Sequence, residues 1–122
     1  MRLLSALVIG VATIAVQTVV WGGDHVVMNV IRSGAELEFD CAAGTITEAI
    51  PETDGAFTLK GTFTPQRSGP SRDGGSRTVS ATYSGTIEGD TMTLHLVLAG
   101  QDRDLAQYVL ARGRPGTLRK CR

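Results

Sequence analysis

The chain has 122 residues, with 12 basic and 12 acidic side chains and a formal net charge of zero. This length suits one domain, and the balanced charge gives no strong field that would select nucleic acid or an anionic membrane. Aromatic residues make up only 5% of the chain, so the core must consist mainly of Val, Leu, Ile and Ala.

The first residues predict export. Met1 and Arg2 precede an apolar run over residues 3–16, which is typical of a secretory signal peptide and short for a membrane span. We expect a signal peptide over residues 1–15, with cleavage between residues 15 and 20. The mature protein is therefore expected to be secreted or periplasmic, without stable insertion in a membrane once the leader is removed.

The rest of the chain has the pattern of a β protein. Apolar and polar residues alternate with a period of two in short segments, and no long segment shows a helical period. Dipeptides containing glycine at positions 33–34, 54–55 and 89–90 predict hairpin turns, and Gly22-Gly23 predicts a bend within the first strand. Strands are predicted at about residues 19–31, 36–41, 45–50, 56–64, 78–88, 91–98, 107–112 and 117–121.

Two of these segments predict which side chains face the core. In residues 36–41 the alternating acids define an outer face, and in residues 91–98 His95 lies on the outer face. The predicted inward positions are Leu37, Phe39, Cys41, Met92, Leu94, Leu96 and Leu98.

Seven or eight short strands joined by tight turns predict the architecture. Such a meander hides its edge strands best by closing, so we predict an all-β fold: a small antiparallel up-and-down barrel. A two-layer β-sandwich is the alternative. The domain would cover residues 16–122, with one long irregular loop at residues 65–77.

Two cysteines, Cys41 and Cys121, would lie in the mature domain. In an oxidising compartment two such cysteines more often form a bridge than a site. We therefore predict a structural Cys41–Cys121 disulfide that holds the last segment near the second predicted strand.

Catalytic signatures are missing. The sequence has no nucleophile elbow, no glycine-rich phosphate loop and no cysteine pair at metal-binding spacing. An acid–base or metal role for His25 would require His95 and a carboxylate to converge on it. We expect a protein that is not an enzyme and needs no cofactor or metal.

Two functional hypotheses remain. In the first, the barrel binds a small apolar ligand next to Trp21, His25 and Met92, with Arg67 and Arg72 in a loop over the mouth. Trp21 alternatively plugs one end of a barrel filled by its own side chains. In the second, the protein is an interaction module, such as an exported enzyme inhibitor or an envelope accessory protein that binds an exported partner. The cationic C-terminal residues indicate a solvated, ion-paired end rather than a nucleic-acid site.

Several segments carry a resemblance. Trp-Gly-Gly-Asp-His at residues 21–25, Glu-Phe-Asp-Cys-Ala-Ala-Gly at residues 38–44 and the Cys121 ending resemble a group of small exported bacterial proteins of uncharacterised function. The resemblance implies a compact β fold with a paired terminal cysteine and no assigned site. Similarity to lipocalin-like barrels is one of architecture alone.

Overall fold

A computed structural model describes residues 19–66, 77–100 and 106–119. Its strands form one closed, antiparallel barrel in which every strand pairs with its neighbours in the sequence and the last pairs with the first. The predicted up-and-down barrel is confirmed, and the sandwich alternative is wrong. The strands are β1 Val19–Gly23, β2 Val26–Ile31, β3 Gly34–Phe39, β4 Ala42–Ile46, β5 Gly55–Pro65, β6 Val79–Glu88, β7 Thr91–Leu98 and β8 Ala106–Arg112.

The alternating pattern of the sequence decides which side chains fill the barrel. Leu37 and Phe39 of β3 are buried between exposed Glu36 and Glu38, as predicted. In β7 the predicted inward residues Met92, Leu94 and Leu96 are likewise buried, Leu98 is partly buried, and His95 lies on the outer face. The most completely buried side chains are Trp21, Tyr83, Met28, Leu37, Ile87, Met92, Leu94, Leu96, Leu110 and Val26.

The first predicted strand, residues 19–31, is in fact a hairpin. The chain reverses at Asp24 and His25, where His25 has a positive φ of 70°, rather than bending at Gly22-Gly23. Histidine tolerates this left-handed region better than most residues with a side chain. Gly22 serves close packing instead, because a Cβ there would overlap the carbonyl oxygen of Arg114.

Other predicted boundaries also need correction. Cys41 is exposed in the turn between β3 and β4, not inward-facing within a strand. The strand predicted at residues 45–50 starts and ends earlier, as β4, because residues 47–54 form an irregular connection at one end of the barrel. The strand predicted at residues 117–121 is reduced, within the described residues, to a single parallel bridge between Thr117 and Asp24.

The barrel has two distinct ends. At the His25 end lie the turns at residues 24–25 and 40–41 and both anchors of the predicted loop, Gln66 and Arg77. At the Arg112 end lie the turns at residues 32–33 and 89–90 and the connection at residues 47–54. Residues 67–76 of the predicted loop lie outside the described part of the chain.

Residues 113–119 form what we call the C-terminal strap. After β8 the chain turns at the Arg112 end, where the Gly113 N–H donates to the Val20 carbonyl at 2.6 Å. It then runs over Gly22 on the outside of the barrel, and Thr117 exchanges backbone hydrogen bonds with Gly23 and His25. The strap therefore returns the chain to the His25 end.

Candidate functional site

A cavity of about 560 Å³ opens at the Arg112 end of the barrel. This volume lies within the range of known small-molecule sites. The cavity is bounded by the start of β1, the end of β2, the connection at residues 47–54 and the end of β8. Its lining residues are Val19, Trp21, Val30, Ile31, Arg32, Ala49, Ile50, Pro51, Glu52 and Arg112.

Trp21 forms part of the cavity wall while remaining 2% exposed. Its position on β1 is inward, between half-buried Val20 and outward Gly22, so the indole is packed into the top of the core. The sequence predicted either that Trp21 contacts a ligand or that it plugs one end of the barrel. The position of Trp21 is compatible with both roles. Trp21 closes the core and presents one surface to the cavity.

Three aromatic rings pack against one another at the His25 end of the barrel. Phe39 packs against Phe63 with centroids 5.7 Å apart and against Tyr108 at 5.2 Å, both with tilted rings. Burial raises the pKa of the Tyr108 hydroxyl, and the nearby Asp40 carboxylate adds to this effect. Aromatic side chains thus occupy part of the interior at this end, whereas the described cavity lies at the other.

Arg112 places a positive charge in the mouth of the cavity. It pairs with Trp21 in the β1–β8 register, so both side chains lie on the same face of the sheet. Its guanidinium carbon lies 4.5 Å from the centre of a Trp21 ring, a cation–π arrangement. Its Nε also lies 3.3 Å from Oδ1 of Asp90, an exposed carboxylate on the β6–β7 turn.

The connection at residues 47–54 forms one wall of the mouth and is anchored at both ends. The Lys60 N–H donates to Oε1 of Glu48 at 2.7 Å, and the Gly89 N–H donates to Oδ1 of Asp54 at 2.9 Å. Between these anchors Ile50 is buried and Ala49 is exposed, and both line the cavity. Hydrogen bonds from two backbone N–H groups to side-chain carboxylates thus tie both ends of this wall to the barrel.

The residues proposed from sequence do not form one site. Trp21 lines the cavity, whereas Met92 is fully buried in the core below it, paired with Ile87 and Leu110. His25 lies at the opposite end. Arg67 and Arg72 lie outside the described residues, but the anchors of their loop are at the His25 end. The predicted placement of Arg67 and Arg72 over the mouth therefore stays a prediction.

His25 belongs to a second cluster with Asp40 and Arg119. Nδ1 of His25 lies 2.6 Å from Oδ2 of Asp40, and the Arg119 N–H donates to Oδ1 of the same carboxylate at 2.7 Å. The Arg119 hydrogen bond, followed by the contact with His25, lowers the pKa of Asp40 below its ordinary 3.8. This cluster fastens the end of the strap to two turns of the barrel.

The two histidines that a catalytic or metal site would need lie on separate parts of the barrel. His25 is in the β1–β2 turn, and His95 is on β7, which β8 separates from β1. Within residues 19–66, 77–100 and 106–119, no three His, Cys, Asp or Glu side chains are grouped so that they could hold a metal ion.

The predicted disulfide agrees with the course of the strap. Cys41 is not a free thiol, and it follows Asp40, the residue that binds the Arg119 N–H. The strap therefore arrives beside the Cys41 turn two residues before Cys121. Cys121 itself lies outside the described residues, so the Cys41–Cys121 bridge stays a prediction.

The sequence analysis missed most of the cavity wall. Arg112 is one of the cationic C-terminal residues that the sequence predicts to be solvated and ion-paired, and it lies 3.3 Å from Asp90, while Arg114 lies 4.0 Å from Asp24. Its inward position was visible in principle, because Leu110 and Arg112 have the same parity in β8. The connection at residues 47–54 was not predicted as a cavity wall, because the apolar residues at its start favoured a strand over residues 45–50.

No family model, curated protein or solved structure matches the chain. In the part of the chain that the structure describes, there is no helix with the length and apolar character needed to cross a membrane.

Proposed function

We propose that this is an exported, non-catalytic barrel that binds a small, largely apolar ligand in the cavity at the Arg112 end. The observation that carries the proposal is the cavity of about 560 Å³ beside Trp21. A preformed apolar pocket with a few polar groups at its mouth is the usual form of a small-molecule site. The aromatic packing at the His25 end supports entry from the Arg112 end.

Native and denatured mass spectrometry of the protein, expressed with its own leader and purified from the periplasm without refolding, tests this proposal. The denatured mass reports removal of the leader and the two-hydrogen loss expected for the disulfide. A native-only adduct of a few hundred daltons, typical of ligands of this class, is the expected result. An adduct-free monomer that also binds no apolar probe would contradict the proposal and favour the interaction module.

A matched pair of variants locates the binding site. Ala49 and Ala99 are both exposed, but Ala49 lines the cavity whereas Ala99 follows β7 at the His25 end. We expect A49F to fill the mouth and to lower the affinity for the neutral dye Nile red at least about tenfold, corresponding to roughly 1.4 kcal/mol. A99F should leave binding unchanged. Equal effects of the two variants, measured by dye fluorescence, would place binding elsewhere.

A further inference from the structure

Arg112 is an exposed cation at the end of the inward-facing positions of β8. Leu110, two residues earlier on the same face, is buried, and the buried side chains of the described core are apolar except for the Tyr83 hydroxyl, which donates to the Thr62 carbonyl. At the last position of the strand, the inward face instead carries a guanidinium, which lies over Trp21 inside the mouth. The change from an apolar wall to a cation therefore occurs within the cavity itself.

The partner that neutralises Arg112 in the structure is easily exchanged. The Asp90 side chain is 84% exposed and approaches Nε, which is only one of the five N–H donors on a guanidinium. Ion pairs this exposed contribute little to stability, so another anion can compete with Asp90. The cation–π contact of Arg112 with Trp21 does not involve Asp90, so it can remain while the anion is exchanged.

The other charged groups of the lining give the site a preferred ligand charge. Arg32, in the β2–β3 turn, is a second cation among the lining residues, and Glu52 is the carboxylate among them. Two further acids of this end, Glu48 and Asp54, accept hydrogen bonds from the Lys60 and Gly89 N–H groups. Of the two lining cations, Arg112 is the one with a described contact to Trp21.

We infer that the ligand is an anionic amphiphile, with one apolar tail in the cavity and a carboxylate or phosphate head held by Arg112. This inference rests on the proposed function, whose site it specifies further. The tail would lie against Val19, Val30 and Ile50, and the head would replace or share the Asp90 contact. Charge-assisted hydrogen bonds from a guanidinium to such a head are stronger than those to a neutral hydroxyl.

The test compares probes that share one tail and differ only in the head: decanoate, decyl phosphate, 1-decanol and decyltrimethylammonium. Because Trp21 is the only tryptophan in the chain, its fluorescence reports occupation of the cavity directly. We expect at least one anionic probe to bind about tenfold more tightly than decanol, a difference of roughly 1.4 kcal/mol. The tighter of the two anions identifies the head group.

Three variants then assign this preference to its residues. R112Q should remove the preference for the anion, so that the anionic probe and decanol bind with similar affinity, and binding of decanol reports that the cavity is intact. D90N should strengthen binding of the anion, because it removes the competing carboxylate. Arg77 is an exposed arginine at the His25 end, and R77Q should change neither the anion affinity nor the decanol affinity.

The outcomes separate this inference from the proposal beneath it. If decanol binds as tightly as both anions, or if R112Q weakens all four probes alike, the inference fails and the apolar site stands. If none of the four probes changes the Trp21 fluorescence or binds by calorimetry, both the inference and the proposed function fail.

Discussion

At the scale of single residues, Gly44 and Tyr83 show how a small side chain makes room for a buried polar group. The Tyr83 hydroxyl is in the core and donates to the Thr62 carbonyl at 2.7 Å. Burial raises the pKa of this phenol, so it remains a donor across the physiological range. Gly44 lies beside it, and a Cβ at Gly44 would overlap the hydroxyl oxygen.

A double-mutant cycle tests this arrangement. We expect G44A to lower the free energy of unfolding by about 1–3 kcal/mol, because it displaces Tyr83 from its hydrogen bond. Y83F alone should cost about 1 kcal/mol. In the Y83F background, G44A should cost less, because the atom that it overlaps is gone. Additive costs in urea unfolding would show that the two residues act independently.

At the scale of elements, the C-terminal strap is joined to the barrel through its packing on Gly22. Thr117 exchanges backbone hydrogen bonds with Gly23 and His25, and the strap passes directly over Gly22. The strap also packs closely on the neighbouring strand, because a Cβ at Gly116 would lie only 2.7 Å from a methyl group of Val27. The strap thus lies against the backbone of β1 at Gly22, where a larger side chain would not fit.

We expect G22A to loosen this strap, because its methyl group would overlap the Arg114 carbonyl. Amide hydrogen exchange at His25, whose N–H donates to Thr117, should accelerate on the order of tenfold or more as local opening becomes easier. S84A, a change on the outer face of β6, serves as the control. Unchanged exchange at His25 in G22A would mean that the strap does not depend on this contact.

At the scale of the whole molecule, two separate sets of contacts join the C-terminal part of the chain to the N-terminal part of the barrel. Hydrogen bonds between β1 and β8 close the sheet, and the Asp40 carboxylate then fastens the returning strap to the His25 end. The attachment of the strap depends on the negative charge of the Asp40 carboxylate. Its strength should therefore vary with pH in a way that the closure of the sheet does not.

The sign follows from the lowered pKa of Asp40. Its contribution to stability is fully present above the unfolded-state value, close to 3.8, and is lost as the pH falls through the lower folded-state value. We expect D40N to be less stable than the parent at neutral pH, and the difference to shrink as the pH falls below about 3.8. Thermal unfolding at matched pH values measures it; a difference that is constant with pH would contradict the assignment.

The sequence by itself determined the class of fold and its inside and outside. The alternation around Leu37 and Leu94 predicts half-buried strands, and the short glycine turns join neighbours in order, so an antiparallel meander follows from local chemistry, whereas the choice between a closed barrel and a sandwich does not. It also indicated that Trp21 lies at one end of the barrel, because this tryptophan is near the end of a predicted strand.

Tertiary structure decided the rest, because it depends on residues that are distant in the chain. Whether Gly22 marks a bend or a close approach is set by the strap, more than 90 positions later at Arg114. Whether Arg112 is a surface cation or part of a cavity depends on its register with Trp21 once the barrel closes. Long-range pairing leaves no local signal in either residue, so sequence patterns predicted the barrel but not the cavity at its Arg112 end.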